Sequence, residues 1–237
     1  MILIGRYIIV LFFLTSQLVY SQDFDINKSL KDYSGKTKIT SQVRSEGNKA
    51  ILRGTESKKN REFVLSNYNG IQMSVYPAWD FGFWPKQKPK FIDEFKYNVN
   101  GLSELVNWGK ENDMYLIHHC LFFPNKYFPK WFWKTNYTSN ELDEILNSYI
   151  QNILETNQNK DKIDALNVIN EIFNKNGNYR SSGNGNEDVK WMDIGFEDDR
   201  SGLIGELKIN ESHPVFVRKV LEKTRSLSRA KLEIRDF

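Results

Sequence analysis

Apolar positions are spaced unevenly along the chain, and beyond about residue 63 their pattern predicts strands alternating with helices. Nearly continuous apolar runs at residues 70–76, 115–123, 165–169 and 230–234 read as strands buried on both faces. Between them, apolar residues recur every three or four positions. The clearest case runs from Thr138 to about Gln158, where Leu142, Ile145, Leu146, Tyr149, Ile150, Ile153 and Leu154 share one helical face. Thr138 followed by Glu141 is a capping-box pattern, in which each side chain satisfies a free backbone N–H at the helix start. Leu102, Leu105, Val106 and Trp108 predict a shorter helix, and Val215 to about Arg225 another, with Ser212 as its cap and Pro214 at an early position. Strands separated by helices imply βαβ units and a parallel sheet, so the fold class is α/β. No Gly-x-Gly-x-x-Gly follows a strand and no Gly-Lys-Ser/Thr loop occurs, which favours a closed barrel over a nucleotide-binding open sheet.

The first 62 residues have a different texture. Residues 1–21 carry one positive charge at Arg6, an apolar core at 7–14 and small or apolar residues before Gln22, the pattern of a secretory signal peptide. The apolar run is too short to cross a bilayer as a permanent helix, so the expectation is a secreted or periplasmic protein with no membrane span after signal cleavage. Residues 22–62 are polar and charged with few apolar clusters, and are expected to form a leader segment or poorly ordered arm. That leaves 63–237 as the folded domain.

Composition changes the picture in three respects. The single cysteine, Cys120, lies in an apolar run, which excludes a disulfide framework and suggests a buried small hydrophobe. Lys plus Arg total 33 against 30 acidic residues, and the basic ones are scattered, so nucleic acid is not an expected partner. The 6 Trp, 11 Tyr and 16 Phe fill a core and also offer flat faces on which sugar rings could stack.

The candidate chemistry lies in residues 163–173, Ile-Asp-Ala-Leu-Asn-Val-Ile-Asn-Glu-Ile-Phe. Strict strand alternation puts Leu166, Val168 and Asn170 on one side, and Asn167, Ile169 and Glu171 on the other. The run is apolar until Asn170 and Glu171 emerge at its end, which in a parallel barrel is the rim that carries catalytic groups. A Gly/Asn/Ser-rich loop at 174–186 follows, in the position of a cleft-lining segment. No metal site is indicated, because His118 and His119 are adjacent in a strand and face opposite ways while His213 sits at a helix start.

Several segments together resemble the glycoside hydrolase family 10 endo-β-1,4-xylanases. His119-Cys-Leu-Phe-Phe-Pro-Asn-Lys-Tyr-Phe-Pro-Lys-Trp131 is similar to the family's third-strand motif, and Asn167-Val-Ile-Asn-Glu171 to its fourth-strand Asp-Val-Val-Asn-Glu. Tyr68-Asn69 with the aromatic cluster from Trp79 to Trp84 resembles the region of the second strand, and Ala230-Lys-Leu-Glu-Ile-Arg-Asp236 the fifth. The resemblance implies a (β/α)8 TIM barrel of which about the first five βα units are present. It further implies hydrolysis of internal xylosidic bonds by a retaining double displacement, without a cofactor. On this resemblance Glu171 is the acid/base, Asn170 hydrogen-bonds the 2-hydroxyl of the sugar at the cleavage point, and His119 sits beside that sugar. Trp79 and Trp84 are stacking candidates, ahead of Trp131. The partner would be xylan or a related plant or algal polysaccharide.

The sequence also departs from the family. Pro124 stands where the family usually has a second His and Phe123 where it usually has Trp, and the second-strand lysine that binds a sugar hydroxyl has no clear counterpart. The residues from 63 onward fall short of the about 250 that a complete barrel needs. The family's nucleophile, a Glu on strand seven, finds no match, and Glu233 and Asp236 are weak substitutes. The expectation is an N-terminal part of a xylanase, inactive in isolation. Two alternatives remain: a retaining glycosidase of another barrel family acting on glucan or mannan, and an inactive carbohydrate-binding remnant.

Overall fold

The computed structural model describes residue 25 and residues 27–77, 82–197 and 213–236. Five strands, β1 (Thr40–Arg44), β2 (Gly70–Ser74), β3 (Tyr115–Phe122), β4 (Ala165–Asn170) and β5 (Lys231–Arg235), form one sheet in sequence order. All four neighbouring pairs are parallel. Among the described residues six α-helices accompany them: α1 (Ser57–Asn67), α2 (Asn100–Glu111), α3 (Lys130–Lys134), α4 (Ser139–Glu155), α5 (Asn159–Lys162) and α6 (Val215–Leu227). Parallel neighbours cannot be joined by tight hairpins, so these crossovers are what the strand order demands.

β1 corrects the reading of residues 22–62 as a leader. Thr40-Ser-Gln-Val-Arg44 holds one apolar residue, Val43, which is buried, and its Gln42 side chain finds a partner within the sheet. The Gln42 side chain donates to Ser74 Oγ on β2 at 2.7 Å. An edge strand satisfied in this way leaves no apolar run for a sequence pattern to detect. Residues 55–62, also assigned to the leader, run into α1. The five-strand expectation therefore holds, with its first strand supplied by the stretch set aside as an arm. The signal-peptide reading falls on residues outside those described. Among the described residues no helix is long and apolar enough to cross a membrane.

The predicted helices form where the periodicity placed them. Thr138 caps α4: Glu141 donates its backbone N–H to Thr138 Oγ1 at 3.2 Å, and Thr138 N–H donates to the Glu141 carboxylate at 2.7 Å. All seven residues of the predicted apolar face are buried. Within that stripe the Tyr149 hydroxyl donates to the Leu121 carbonyl at 2.9 Å, which ties α4 to β3. In α2, Gly109 lets helix and sheet touch, since a Cβ there would lie 2.3 Å from Leu116 Cδ2. α6 differs in detail from expectation: Pro214 is its N-cap rather than part of its first turn, and Ser212 is not among the described residues.

Burial on the outer face of β3 extends to a histidine. His118 is fully buried with its ring edge-on to Phe83 at 5.5 Å, while His119 turns to the opposite face, as alternation predicted.

Replacing Ile150, which is fully buried in α4, by Ala is expected to destabilise the fold by about 2–5 kcal/mol through lost burial and an unfilled cavity. Thr138→Ala is expected to cost about 1 kcal/mol through loss of the cap. Urea unfolding of the three proteins, compared at equal slope, checks both values and their order.

Candidate functional site

The end of β4 is irregular, and the site depends on it. Pairing of β4 with β5 shifts register between Asn167 and Ile169, and pairing of β3 with β4 shifts between His119 and Phe122. Such a shift breaks the two-residue alternation of faces. As a result, Asn167 and Asn170 meet instead of facing opposite ways: the Asn167 amide lies 3.0 Å from Asn170 Oδ1 and 2.7 Å from His119 Nδ1. The expected split, with Asn167 on the side of Glu171 and Asn170 on the other, is thereby corrected. Asn167 is a bridging residue that alternation could not reveal.

Glu171 follows directly, with its backbone in the left-handed region at φ 55°. Its N–H donates to the Arg235 carbonyl at 3.0 Å and its carbonyl accepts from Arg180 Nε at 2.7 Å. β5 and the loop after β4 thus hold it from two sides. The side chain is 15% exposed, with Lys126 Nζ 3.9 Å and the Arg180 guanidinium 3.8 Å from the same carboxylate oxygen.

His119 is linked through Asn167 to Asn170, the residue before Glu171. Burial, and after it the positive charge of Arg235, lowers its pKa from 6.5 to about 4, so at neutral pH it is an uncharged hydrogen-bonding partner. Tyr76 and Phe123 flank the ring at 5.8 and 5.5 Å. Tyr127 packs on Phe123 at 4.1 Å, and its hydroxyl pKa is raised by burial first and then by the Glu171 charge. Beyond Glu171, Phe173 and Tyr179 stack at 4.9 Å, and a hollow of about 610 Å³ is lined by Phe173, Asn174, Lys175, Gly177, Arg180 and Asp236. Side chains that can hydrogen-bond hydroxyls thus stand beside aromatic rings around one carboxyl group, a combination suited to a carbohydrate.

Of the two tryptophans expected to stack on sugar, Trp79 lies outside the described residues. Trp84 is corrected: it is 4% exposed and enclosed by Phe95, Tyr97, Phe128, Trp131, Phe132, Tyr149 and Trp191, so no ring face is open to a ligand. Trp131 donates its ring N–H to the Pro85 carbonyl at 3.2 Å and closes the wall beside Trp84. Cys120 is fully buried, and burial pushes its thiol well above the usual range. Glu233 pairs with Arg235, which in turn donates to Gln72 on β2, and Asp236 accepts the Phe173 N–H at 2.8 Å. Asp236 thus joins the last strand region to the segment after β4, while Glu233 is paired within β5. Among the described residues no group of three or more His, Cys, Asp or Glu side chains could hold a metal.

Sequence reading missed Lys126, Arg180 and Tyr127. The 174–186 loop was recognised as lining the cleft, yet nothing in its composition singles out Arg180. Lys126 lay in the third-strand motif without a distinguishing neighbour.

Comparison with known proteins gives these features a family. Residues 55–202, more than half of the chain, match the model of glycosyl hydrolase family 10, and the chain belongs to that family. Its fold is similar to native xylanase 10B from Thermotoga maritima, with TM-score 0.63 and 19% identity over 88% of this chain and 53% of that one. Xylanase 10B from Thermotoga petrophila RKU-1, solved with xylobiose, gives TM-score 0.65 and 19% identity over 90% of this chain and 54% of that one. The Clostridium thermocellum xylanase 10B modules, solved with xylohexaose, give TM-score 0.63 and 18% identity over 91% of this chain and 41% of that one. The chain spans about half the length, or less, of these relatives, and its five-stranded parallel sheet corresponds to part of their TIM barrel.

The two β3 histidines make stability depend on pH. Their folded pKa values, about 3 for His118 and about 4 for His119, lie below the ordinary 6.5, so the unfolded chain binds more protons. Their contribution is complete above about pH 6.5 and is lost as pH falls toward 4. Denaturant unfolding from pH 7 to pH 4.5 is expected to show falling stability with a shallower slope in His119→Gln. An unchanged slope in that variant would contradict the depressed value.

Proposed function

We propose that this chain carries the acid/base half of an endo-β-1,4-xylanase site, with Glu171 protonating the departing glycosidic oxygen and then deprotonating the incoming water. The observation that carries this reading is the Asn170–Glu171 pair at the end of β4, joined through Asn167 to the uncharged His119. Asn170 hydrogen-bonds the 2-hydroxyl of the sugar at the cleavage point, a contact that strengthens as oxocarbenium character develops. His119 orders Asn167 and approaches the same sugar. With Trp84 buried, Tyr127 and the stacked Phe173 and Tyr179 take over as candidate platforms for sugar rings.

Xylan is the favoured substrate because the similar structures named above are xylanases, two of them solved with xylo-oligosaccharides. A retaining reaction needs a second carboxyl group about 5–5.5 Å from the first. Glu233 and Asp236 are bound to Arg235 and to the Phe173 N–H, which speaks against either as nucleophile. We assign that role to a group outside the described residues. The described residues by themselves then form a sugar-binding half-site. Export by the 1–21 segment remains part of this proposal.

In affinity electrophoresis the purified chain is expected to be retarded by xylan more than by glucan or mannan; equal mobility in all three gels would contradict the substrate assignment. On soluble xylan it is expected to release no more reducing ends than Glu171→Gln. Hydrolysis that falls about 10²–10⁴-fold in Glu171→Gln would uphold Glu171 and overturn the assignment of the nucleophile. Hydrolysis that Glu171→Gln leaves intact would overturn the role of Glu171.

A further inference from the structure

Two cations stand beside Glu171, and both are held more closely by another carboxylate. Lys126 Nζ lies 2.9 and 3.2 Å from the two oxygens of Glu187 but 3.9 Å from Glu171. Arg180 reaches the Glu187 carboxylate at 2.9 Å through one guanidinium nitrogen and comes within 3.8 Å of Glu171 through the other. The same guanidinium donates to the backbone carbonyls of Glu171 at 2.7 Å and of Glu187 at 3.2 Å, so it cannot drift from either. Glu187 is itself 60% exposed, and Lys126 first, then Arg180, hold its pKa below the usual carboxylate range.

Glu187 is held in place by a buried latch. Asn125, 1% exposed, donates from its side chain to the carbonyls of Gly183 and Gly185 at 3.0 and 2.9 Å, and accepts from the Lys190 N–H at 2.8 Å. Its backbone N–H donates to Asp188, and that of Lys126 to Asn186, at 2.8 and 2.9 Å. These bonds bracket Glu187 on both sides and fix the loop against the end of β3. An exposed glutamate on a free loop would spend little time in one ion pair; here the backbone is already ordered, which lowers the entropy cost of holding it.

We propose that Glu187 is a positioning residue for the acid/base: by binding Lys126 and Arg180 at hydrogen-bond distance, it keeps both cations from closing on the Glu171 carboxylate. This rests on Glu171 being the acid/base. A group that must carry a proton when the glycosidic bond breaks is impaired by two unshared cations, because opposite charges within about 4–6 Å favour the ionised form. With Glu187 present, two positive and two negative groups balance locally; without it, one carboxylate faces two cations. The other titratable groups that sense the Glu171 charge are Tyr127 and the buried Cys120 thiol, neither of which is a cation.

The test is Glu187→Gln, which removes the charge and keeps the shape, read without reference to hydrolysis. A crystal structure of the variant is expected to show Lys126 Nζ moving from 3.9 Å to about 2.8 Å from a Glu171 oxygen. Glu187→Asp, which keeps the charge, should show little of that movement. A Glu187→Gln variant that melts like the parent but leaves the 3.9 Å separation unmoved would overturn the proposal. Because this readout needs no turnover, its outcome is distinct from failure of the xylanase reading, which the Glu171→Gln assay decides.

Discussion

The left-handed backbone at Glu171 is the constraint on which the site turns. A non-glycine residue in that region costs roughly 1–2 kcal/mol, so surrounding structure must hold it there. Two hydrogen bonds do so, one from its N–H to Arg235 of β5 and one to its carbonyl from Arg180 in the loop after β4. Without the reversal at φ 55°, the chain would continue as strand and Glu171 would follow the alternation of β4. With it, the carboxylate leaves the strand end and sits between two loops, 15% exposed and close to two cations.

The same constraint links distant parts of the fold. β5 must pair with β4 for Arg235 to accept the Glu171 N–H, and that pairing contains the register shift between Asn167 and Ile169 that brings Asn167 to His119 and Asn170. Arg235 also reaches Gln72 on β2 and contributes to keeping His119 uncharged. The interior of the sheet is therefore polar and interlocked, while the outer face carries the apolar and aromatic core. That division explains why most of the aromatic residues are structural and few are candidates for sugar contact.

Much of this was legible in the sequence where the signal is local. α4 shows seven apolar residues on one face and a Thr138–Glu141 cap, and both appear in the structure. The Asn170–Glu171 pair was found because an apolar strand ending in polar residues is itself unusual, and His119 because the motif around it resembles the family's third strand. β1 was not legible, since it holds a single buried apolar residue and Gln42 is satisfied by Ser74, far along the chain. Trp84 was misread for a similar reason: a cluster of aromatic letters does not reveal that seven other rings will enclose it. Lys126, Arg180 and Glu187 are ordinary surface charges in the sequence and become a set only when the Asn125 latch folds their loop onto β3.

The central claim is that the Glu171 carboxyl meets a glycosidic oxygen of xylan. Its most direct test is a crystal structure of the chain soaked with xylohexaose. The claim predicts a glycosidic oxygen within about 2.6–3.2 Å of the Glu171 carboxyl, with the adjoining 2-hydroxyl on Asn170. A xylo-oligosaccharide bound elsewhere on the molecule, with this rim empty at saturating ligand, would contradict it.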